Sequence, residues 1–571
     1  MAEERIGVYV CNCGTNIGKV VDVEAVAKSA LEIPGVALAH SYKYMCSNPG
    51  QEMILKDIED NQLTRIVVAS CSPRMHEATF RAAIKRAGLN PYLLEMANIR
   101  EQCSWIHDDS AAATEKAKAL VHAAVQRVKF NEPLESRTAP MCSSTLVLGG
   151  GVTGLTAALE LADAGQQVFL VEKQDHLGGN VARLDLTAPN LDSAQDMLHN
   201  WIERVWRHPH IRVFLNAELT SLTGFNGNFK PRLRTEDGEA LDLDAGSVLV
   251  CTGYKEFDAS RIQQYGYGRL PDVITSFELE AMLRAGKVQT RSGKQPRYVS
   301  IVHCVGSRSK EYHPYCSRVC CTTGLKYAFE LKSALPAAHI SNLYSDMEAF
   351  GKGCEDFYRK ASEARTQFVM FAKNDLPAIR EAAPKDGCNM LITLKEQLSG
   401  EEIEMPADLV VLMVSMEPRE DAGAIARLVN ISCDKDGWFI ESHPKLDPVA
   451  TTTDGVYIAG ACQFPRDIPE SVVQGRAAVA RILGKVSQGQ ITVDAVYSEV
   501  QEKLCSGCRT CFSMCPYGAI EYIGEKHLSH IISAVCKACG CCAAACPAGA
   551  IKVRHFTDEQ VYGQIEGVLQ G

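Results

Sequence analysis

Apolar residues along this chain gather in short, dense runs, and several of those runs stop at a cysteine or a glycine. RIGVYVCNCG (5–14) and TRIVVASCSPRMHE (64–77) each contain a Val- and Ile-rich stretch of buried-strand length, the first ending at Cys11 and Cys13 and the second at Cys71. STLVLGGGVTGLTAALELADAGQQVFLVEKQDHLGGN (144–180) predicts a strand over Leu146–Leu148, a glycine turn, an alanine-rich helix and a second strand over Val168–Val171. SVLVCTGY (247–254) and RYVSIVHCVGSR (297–308) predict two further strands, and GLKYAFELK (324–332) a helix. Strands alternating with helices point to an α/β fold with parallel sheets. FNEPLESRTAPMCSS (130–144), rich in Pro, Ser and charge, breaks the pattern as a linker would.

With 571 residues, the chain exceeds the roughly 100–200 of one domain. The expected division is an N-terminal α/β domain at 1–133, a linker at 134–144, a dinucleotide-binding domain at 145–490 and a cysteine-rich α+β domain at 491–571. No apolar run approaches the ~18 residues of a membrane span, and MAEERIGVYV lacks the basic and apolar regions of a signal peptide, so a cytoplasmic protein is expected. The net charge of −10 is spread along the chain, which argues against a nucleic-acid-binding stripe.

Cysteine changes the picture. There are 24, nine of them between 505 and 546. In a reducing compartment such density reads as metal or redox chemistry, not as disulfide staples. CSGCRTCFSMCP supplies Cys505, Cys508, Cys511 and Cys515, and CKACGCCAAACP supplies Cys536, Cys539, Cys542 and Cys546, each fourth cysteine followed by proline. This is the C-x2-C-x2-C-x3-C-P run of bacterial ferredoxins, in which three thiolates hold one [4Fe-4S] cube and the fourth holds the other. The crossed sets are Cys505, Cys508, Cys511 with Cys546, and Cys536, Cys539, Cys542 with Cys515. Paired zinc knuckles are the competing reading, and Cys541 is left as a packed side chain.

In the middle, Gly149-x-Gly151-x-x-Gly154 follows a strand and opens a helix, and Glu172 closes the second strand, where a carboxylate accepts ribose hydroxyls. Lys173, Gly178, Gly179, Thr252, Gly253, Gly460 and Ala461 complete the residues expected around FAD. Ala461 departs from the aspartate usual after that glycine. A pyridine-nucleotide oxidoreductase would place a second glycine loop after the strand at 297–308. Here Cys304, Cys316, Cys320 and Cys321 stand instead, a set that suits a third [4Fe-4S] cluster exchanging single electrons with the flavin; zinc or simple packing are the alternatives. Near the N-terminus, Cys11, Cys13, Cys46, Cys71 and Cys103 match no ferredoxin run, and clustered ligands or scattered thiols both fit their spacing. A disulfide reductase acting alone would need a redox pair beside the flavin, and Cys462 has no partner in sequence.

Taken with CNCG, VVASCSPRMHE, NPYLLEMANIREQCSWIH, LGGGVTGL, YGYGRLPDVITSFE, VGSRSKEYHPYCSRVCC, SDMEAFGKGCEDFY and DIPESVVQGRAA, these residues make the chain resemble the A-type subunits of heterodisulfide reductase along essentially its whole length. The resemblance implies a thioredoxin-reductase-like FAD domain and four [4Fe-4S] clusters, with four of the five N-terminal cysteines ligating. It also implies a cytoplasmic electron hub working with B- and C-like subunits, a hydrogenase, formate dehydrogenase or NADH-type donor and ferredoxin, in a dimer of multi-subunit assemblies, with bifurcation of electron pairs at the flavin. Lys326 follows the double cysteine as it does in the family and is expected to tune the flavin. One departure stands out: the family's inserted ferredoxin domain after GFNGNFKPRLR is missing, since TEDGEALDLDAGSVLV follows directly. A non-bifurcating relay, similar to the flavin subunits of quinone-interacting complexes, is therefore a competing expectation.

Overall fold

The computed structural model describes residues 4–570 and forms two compact units, one from the segments up to 138 and from 492 onward, the other from 139–491.

The first unit begins with β1 (Ile6–Cys11), α1 (Val23–Ala30), β2 (Val36–Tyr42), α2 (Asn48–Asn61), β3 (Arg65–Ser70), α3 (Pro73–Arg86), β4 (Leu94–Asn98) and α4 (Ser110–Val128). The strands form a parallel sheet in the order β2-β1-β3-β4. Every residue of β1 is buried because helices cover both faces, which explains a continuous apolar run where alternation would mark a half-exposed strand. Val8 and Val10 pack toward α1 and α4, while Tyr9 faces Ile54 of α2 and Phe80 of α3.

The second unit holds two parallel five-stranded sheets. The first has the order β14-β8-β5-β6-β7, from β5 (Ser144–Leu148), β6 (Gln167–Val171), β7 (Ile211–Phe214), β8 (Ser247–Val250) and β14 (Val456–Ile458). Against it pack α5 (Val152–Asp163), α6 (Ala194–Arg207) and α10 (Ile468–Val486). The second has the order β9-β13-β10-β11-β12, from β9 (Val273–Thr275), β10 (Tyr298–Val305), β11 (His339–Tyr344), β12 (Gln367–Met370) and β13 (Leu409–Val414). Its helices are α7 (Ser276–Arg284), α8 (Cys320–Ala334) and α9 (Cys354–Glu363). Tyr327 and Leu331 of α8 pack with Ile301 and Val411 of this sheet.

Back in the first unit, β15 (Ser498–Val500) pairs with β18 (Ile551–Val553), and β16 (Ile520–Ile523) with β17 (Leu528–Ile531). Short helices α11 (Thr510–Met514) and α12 (Cys541–Ala544) lie between them. The last helix, α13 (Asp558–Gln570), runs along α4. Arg127 of α4 donates to Gln564 Oε1 (2.9 Å) and to the His555 carbonyl (3.0 Å), so the cysteine-rich segment folds against the N-terminal one within a single unit. Among the described residues no helix is long and apolar enough to cross a membrane.

Candidate functional site: a dinucleotide cavity bordered by a cysteine-bearing helix

β5 delivers its backbone into the glycine turn, and α5 starts immediately at Val152 with Gly151 as its cap. A Cβ on Gly154 would sit 1.9 Å from the Gly149 carbonyl oxygen, so only glycine lets this helix approach the strand end so closely, whereas a Cβ on Gly151 would meet open space. Gly149 and Gly151 line a cavity of about 1160 Å³, together with Glu172, Lys173, Gly178, Gly179, Thr252, Gly253 and Ala461. Gly154 and Gly460 lie outside the wall; the Gly460 amide donates to Gln474 Oε1 (2.6 Å). The Glu172 carboxylate accepts the amides of Gly150 (2.7 Å) and Gln174 (2.8 Å), which fixes it at the end of β6. Lys173 reaches the wall, but its ammonium is paired with Glu218 (2.7 Å) and Asp421 (3.2 Å). An N-terminal helix turn, a tight glycine approach and a fixed acid are the chemistry a dinucleotide pyrophosphate and ribose require, and these residues fit FAD.

α8 enters the same cavity. The helix begins at Cys320, four residues ahead of the GLKYAFELK stretch, so both adjacent cysteines occupy its first turn. Cys320 lines the cavity, as do Thr322, Thr323, Lys326 and Tyr327. Burial, and then the nearness of Cys304, Cys321 and Cys316, pushes the Cys320 thiol well above its usual range. Burial and neighbouring thiols likewise raise Cys304 to about 11 and Cys321 to about 12. Four thiols have thus been gathered where four thiolates would repel, and a cationic core is what would draw their protons off. The partial positive charge of the α8 N-terminus acts in the same direction. Backbone strain concentrates here too: Cys304 (φ 59°) and Arg318 (φ 64°) are left-handed non-glycine residues.

The C-terminal cysteines line two small cavities. One is lined by Cys505, Cys508, Cys511 and Cys546, and another by Cys515, Cys536, Cys539 and Cys542. The halves mirror each other: Cys511 Sγ lies 3.3 Å from Ser529 Oγ and Cys542 Sγ 3.6 Å from Ser498 Oγ, while the amides of Ala519 and Ala550 donate to Cys515 and Cys546 Sγ respectively, each at 3.3 Å. Among the described residues no three His, Cys, Asp or Glu are grouped so as to hold a metal ion. The two C-terminal sets surround spaces instead, which fits a multi-iron cube. Cys541 is exposed and lines neither cavity.

In the N-terminal sheet, Cys11 ends β1, Cys13 follows in the left-handed region (φ 47°), Cys46 follows β2 and Cys71 follows β3. Burial raises all of the Cys11, Cys46 and Cys71 thiols, and each is raised further by a neighbour in the set: Cys11 by Cys13 and Cys46, Cys46 by Cys13, and Cys71 by Cys13 and Cys11. Cys103 is different. Burial raises its thiol to about 11, only Lys116 acts on it as a charge, and it packs in the α1–α4 core with Ala97, Ile99 and Ala113. Cys462 is buried with Sγ against the Ala459 (3.2 Å) and Val250 (3.3 Å) carbonyls, and burial lifts its thiol to about 12, far from a reactive thiolate.

Residues 147–216 match the NAD(P)-binding Rossmann-like domain family, and residues 498–547 the 4Fe-4S dicluster domain family. The chain is 42% identical to the second iron-sulfur A-type subunit of CoB–CoM heterodisulfide reductase from Methanopyrus kandleri, covering 100% of both chains. It is 38% identical to the A-type subunit of the H(2):CoB-CoM heterodisulfide,ferredoxin reductase of Methanothermobacter thermautotrophicus, over 100% of this chain and 98% of that one. The chain belongs to the heterodisulfide reductase A family. That makes it an oxidoreductase subunit of α/β architecture with a Rossmann-like domain and a C-terminal 4Fe-4S dicluster domain. The alignment with the Methanopyrus relative spans 657 positions against 571 residues here, so that relative of the heterodisulfide reductase A family carries residues this chain lacks. Among solved structures, the thioredoxin reductase of T. acidophilum is similar over 60% of this chain and 99% of that one, at 15% identity and a TM-score of 0.41.

Sequence reasoning missed Arg318, which lines the cavity of this heterodisulfide reductase A family member, and the two acids behind the wall that hold Lys326. Arg318 pairs with Glu470 at the start of α10 and donates to the Pro465 carbonyl (3.4 Å), tying the central cysteine loop to the flavin-side helix. Glu280 and Glu330, 46 residues and one helical turn from Lys326, hold its ammonium in the wall. No local motif signals such partners; only the topology brings α7 beside α8.

Proposed function

We propose that this protein is the flavin- and iron–sulfur-carrying electron hub of a heterodisulfide-reductase-type complex. The observation that carries the reading is that Cys320, from a four-cysteine set, and the Gly149–Gly154 turn border one cavity. Gly149, Gly151 and Glu172 would hold FAD by its pyrophosphate and ribose, and Cys304, Cys316, Cys320 and Cys321 would hold a cluster beside it. Two further cubes belong to the crossed C-terminal sets, and a fourth to Cys11, Cys13, Cys46 and Cys71. FAD supplies the junction between two-electron and one-electron chemistry. The chain's own residues bind it, bury it and set iron within its wall. B- and C-like subunits on one side and a donor module on the other complete the circuit, with bifurcation at the flavin. The residues that the Methanopyrus relative has and this chain lacks favour a second reading, a relay that passes electrons singly without energetic coupling.

Anaerobically prepared protein is expected to contain about sixteen irons and one FAD per chain, four irons for each cube. Iron analysis near eight removes the central and N-terminal clusters from the reading, and abundant zinc points instead to structural metal.

NADH and NADPH are expected to leave the flavin of the isolated protein oxidised. β10 runs into Cys304, and the single glycine that follows, Gly306, offers no ligand cradle: its Cβ position lies 2.6 Å from the Phe257 ring. Stopped-flow absorbance would show the contrary result as rapid flavin bleaching by either nucleotide.

A further inference from the structure

On α8, Lys326 Nζ faces three acceptors: the Leu186 carbonyl (3.0 Å), the Glu280 carboxylate of α7, and Glu330 one turn further along (3.6 Å). One ammonium therefore serves two carboxylates, with Lys326, Glu280 and Glu330 exposed by only 2%, 0% and 9%. The two acids are not equivalent. Glu280 is satisfied on both oxygens, Oε1 by Lys326 and Oε2 by the Asp185 amide (3.0 Å). Glu330 Oε2 is buried with no hydrogen-bond partner. If all three groups were ionised, the cluster would carry a net negative charge away from water. The carboxylate with the fewest compensating bonds, Glu330, is the one that a proton neutralises most readily.

The groups acting on Glu330 come from each neighbouring segment: Lys326 from its own helix, Glu280 from α7, and Asp185 from the stretch before Leu186. Tyr327, the next residue on α8 after Lys326, faces both Glu280 and Glu330, and its hydroxyl donates to the Ser276 carbonyl (3.2 Å). From β10, His303 meets α8 at Gly324, and the charged residues of α9 are exposed. Burial, opposed by Lys326 and aided by Glu280 and Asp185, raises the Glu330 carboxyl to about 7. Lys326 and Leu186 also line the dinucleotide cavity, so charge arriving there is felt one ion pair away from Glu330.

We propose that Glu330 is a proton-holding site linked through Lys326 to negative charge in the cavity. When electrons from the donor module charge the cavity, the Glu330 carboxylate takes one proton from water and becomes a neutral carboxylic acid. The Glu280–Lys326–Glu330 cluster passes from a net charge of −1 to zero, and no bond to the cofactor forms or breaks. Glu330 is a positioning residue in this account, since it acts through Lys326. The inference rests on reading the cavity as the flavin site.

Its test is electrochemical infrared difference spectroscopy on the holoprotein, with flavin content fixed beforehand by absorbance. Reduction at pH 7–8 is expected to produce a protonated-carboxyl band that Glu330→Gln lacks. The equilibrium constant for flavin reduction is expected to change with pH by about tenfold less per unit in Glu330→Gln than in wild type across the range where this acid titrates. A wild type without the band, or a Glu330→Gln protein that retains it, overturns the proposal. Should Glu330→Gln not fold, Glu330→Asp decides by the same criterion: its band must move in frequency, and an unmoved band belongs to another acid. Protein that holds no flavin defeats the cavity reading alone. The carboxyl band can then be titrated without reduction, and the absence of a midpoint between pH 6 and 8 overturns the Glu330 assignment independently.

Discussion

Lys326→Met is expected to destabilise the unit at 139–491 by about 3–5 kcal/mol, the usual cost of removing one partner from a buried ion pair. Methionine keeps the aliphatic stem, so the loss comes from the ammonium. Glu280, fully buried, would keep the Asp185 amide on one oxygen and lose its charged partner on the other, and the Leu186 carbonyl would lose its donor. The double variant Lys326→Met, Glu280→Gln is expected to recover more than half of the loss, because an amide carries no charge to strand. Urea unfolding followed by flavin fluorescence isolates this unit from the other, whose separate melting would otherwise blur a two-state fit. A single variant within about 1 kcal/mol of wild type would mean that Glu280 has simply taken up a proton. The same variant tests the expected role of Lys326 at the flavin. With iron content intact, a shift in flavin potential places its charge next to the ring, and unchanged potentials assign it to the wall alone.

Different parts of this molecule were legible in the sequence for different physical reasons. The glycine turn was readable because close helix–strand approach tolerates one residue type, and the clash that a Cβ on Gly154 would meet with the Gly149 carbonyl states that reason in distances. The C-terminal runs were readable because their spacing is duplicated. The start of α8 was not: no Ser, Thr, Asp or Asn caps it, and Val319 stands at that position, so GLKYAFELK alone carried the helical pattern. The burial of Lys326 could not be read either. A helix lysine ordinarily lies in water, and what makes burial tolerable is Glu280, distant in sequence and adjacent only once the second sheet has formed. Nor did the boundary near residue 491 announce that α13 returns to α4, since DEQVYGQIEGVLQ exposes Tyr562, Ile565 and Leu569 while burying Gln560, Gly563 and Gly567, the reverse of the ordinary pattern.

Spacing could not sort the five N-terminal cysteines, and we propose a ligand set from their places on the sheet. β2, β1 and β3 are adjacent and parallel, so the residues that follow their carboxyl ends share one edge, and Cys46, Cys11 with Cys13, and Cys71 come from those three ends. Cys103 comes instead from the turn after β4, on the outer flank, and its side chain packs into the core on the α4 side. Cys71→Ala, which leaves no ligand atom in place of the thiolate, is therefore expected to lower the iron content by up to about four per chain, one whole cube. Cys103→Ala is expected to leave iron unchanged and to cost no more than the packing of a small buried side chain, about 1 kcal/mol. Anaerobic iron analysis paired with low-temperature electron paramagnetic resonance reads both results, because loss of one cube removes one signal while the remaining signals persist. The reverse outcome, iron lost with Cys103 and kept with Cys71, would move the ligand set from the strand ends to the outer flank. Substituting Cys11, Cys13 or Cys46 is expected to reproduce the Cys71 result. The four together would make the sheet edge, and not a contiguous cysteine run, the element that builds the cluster site.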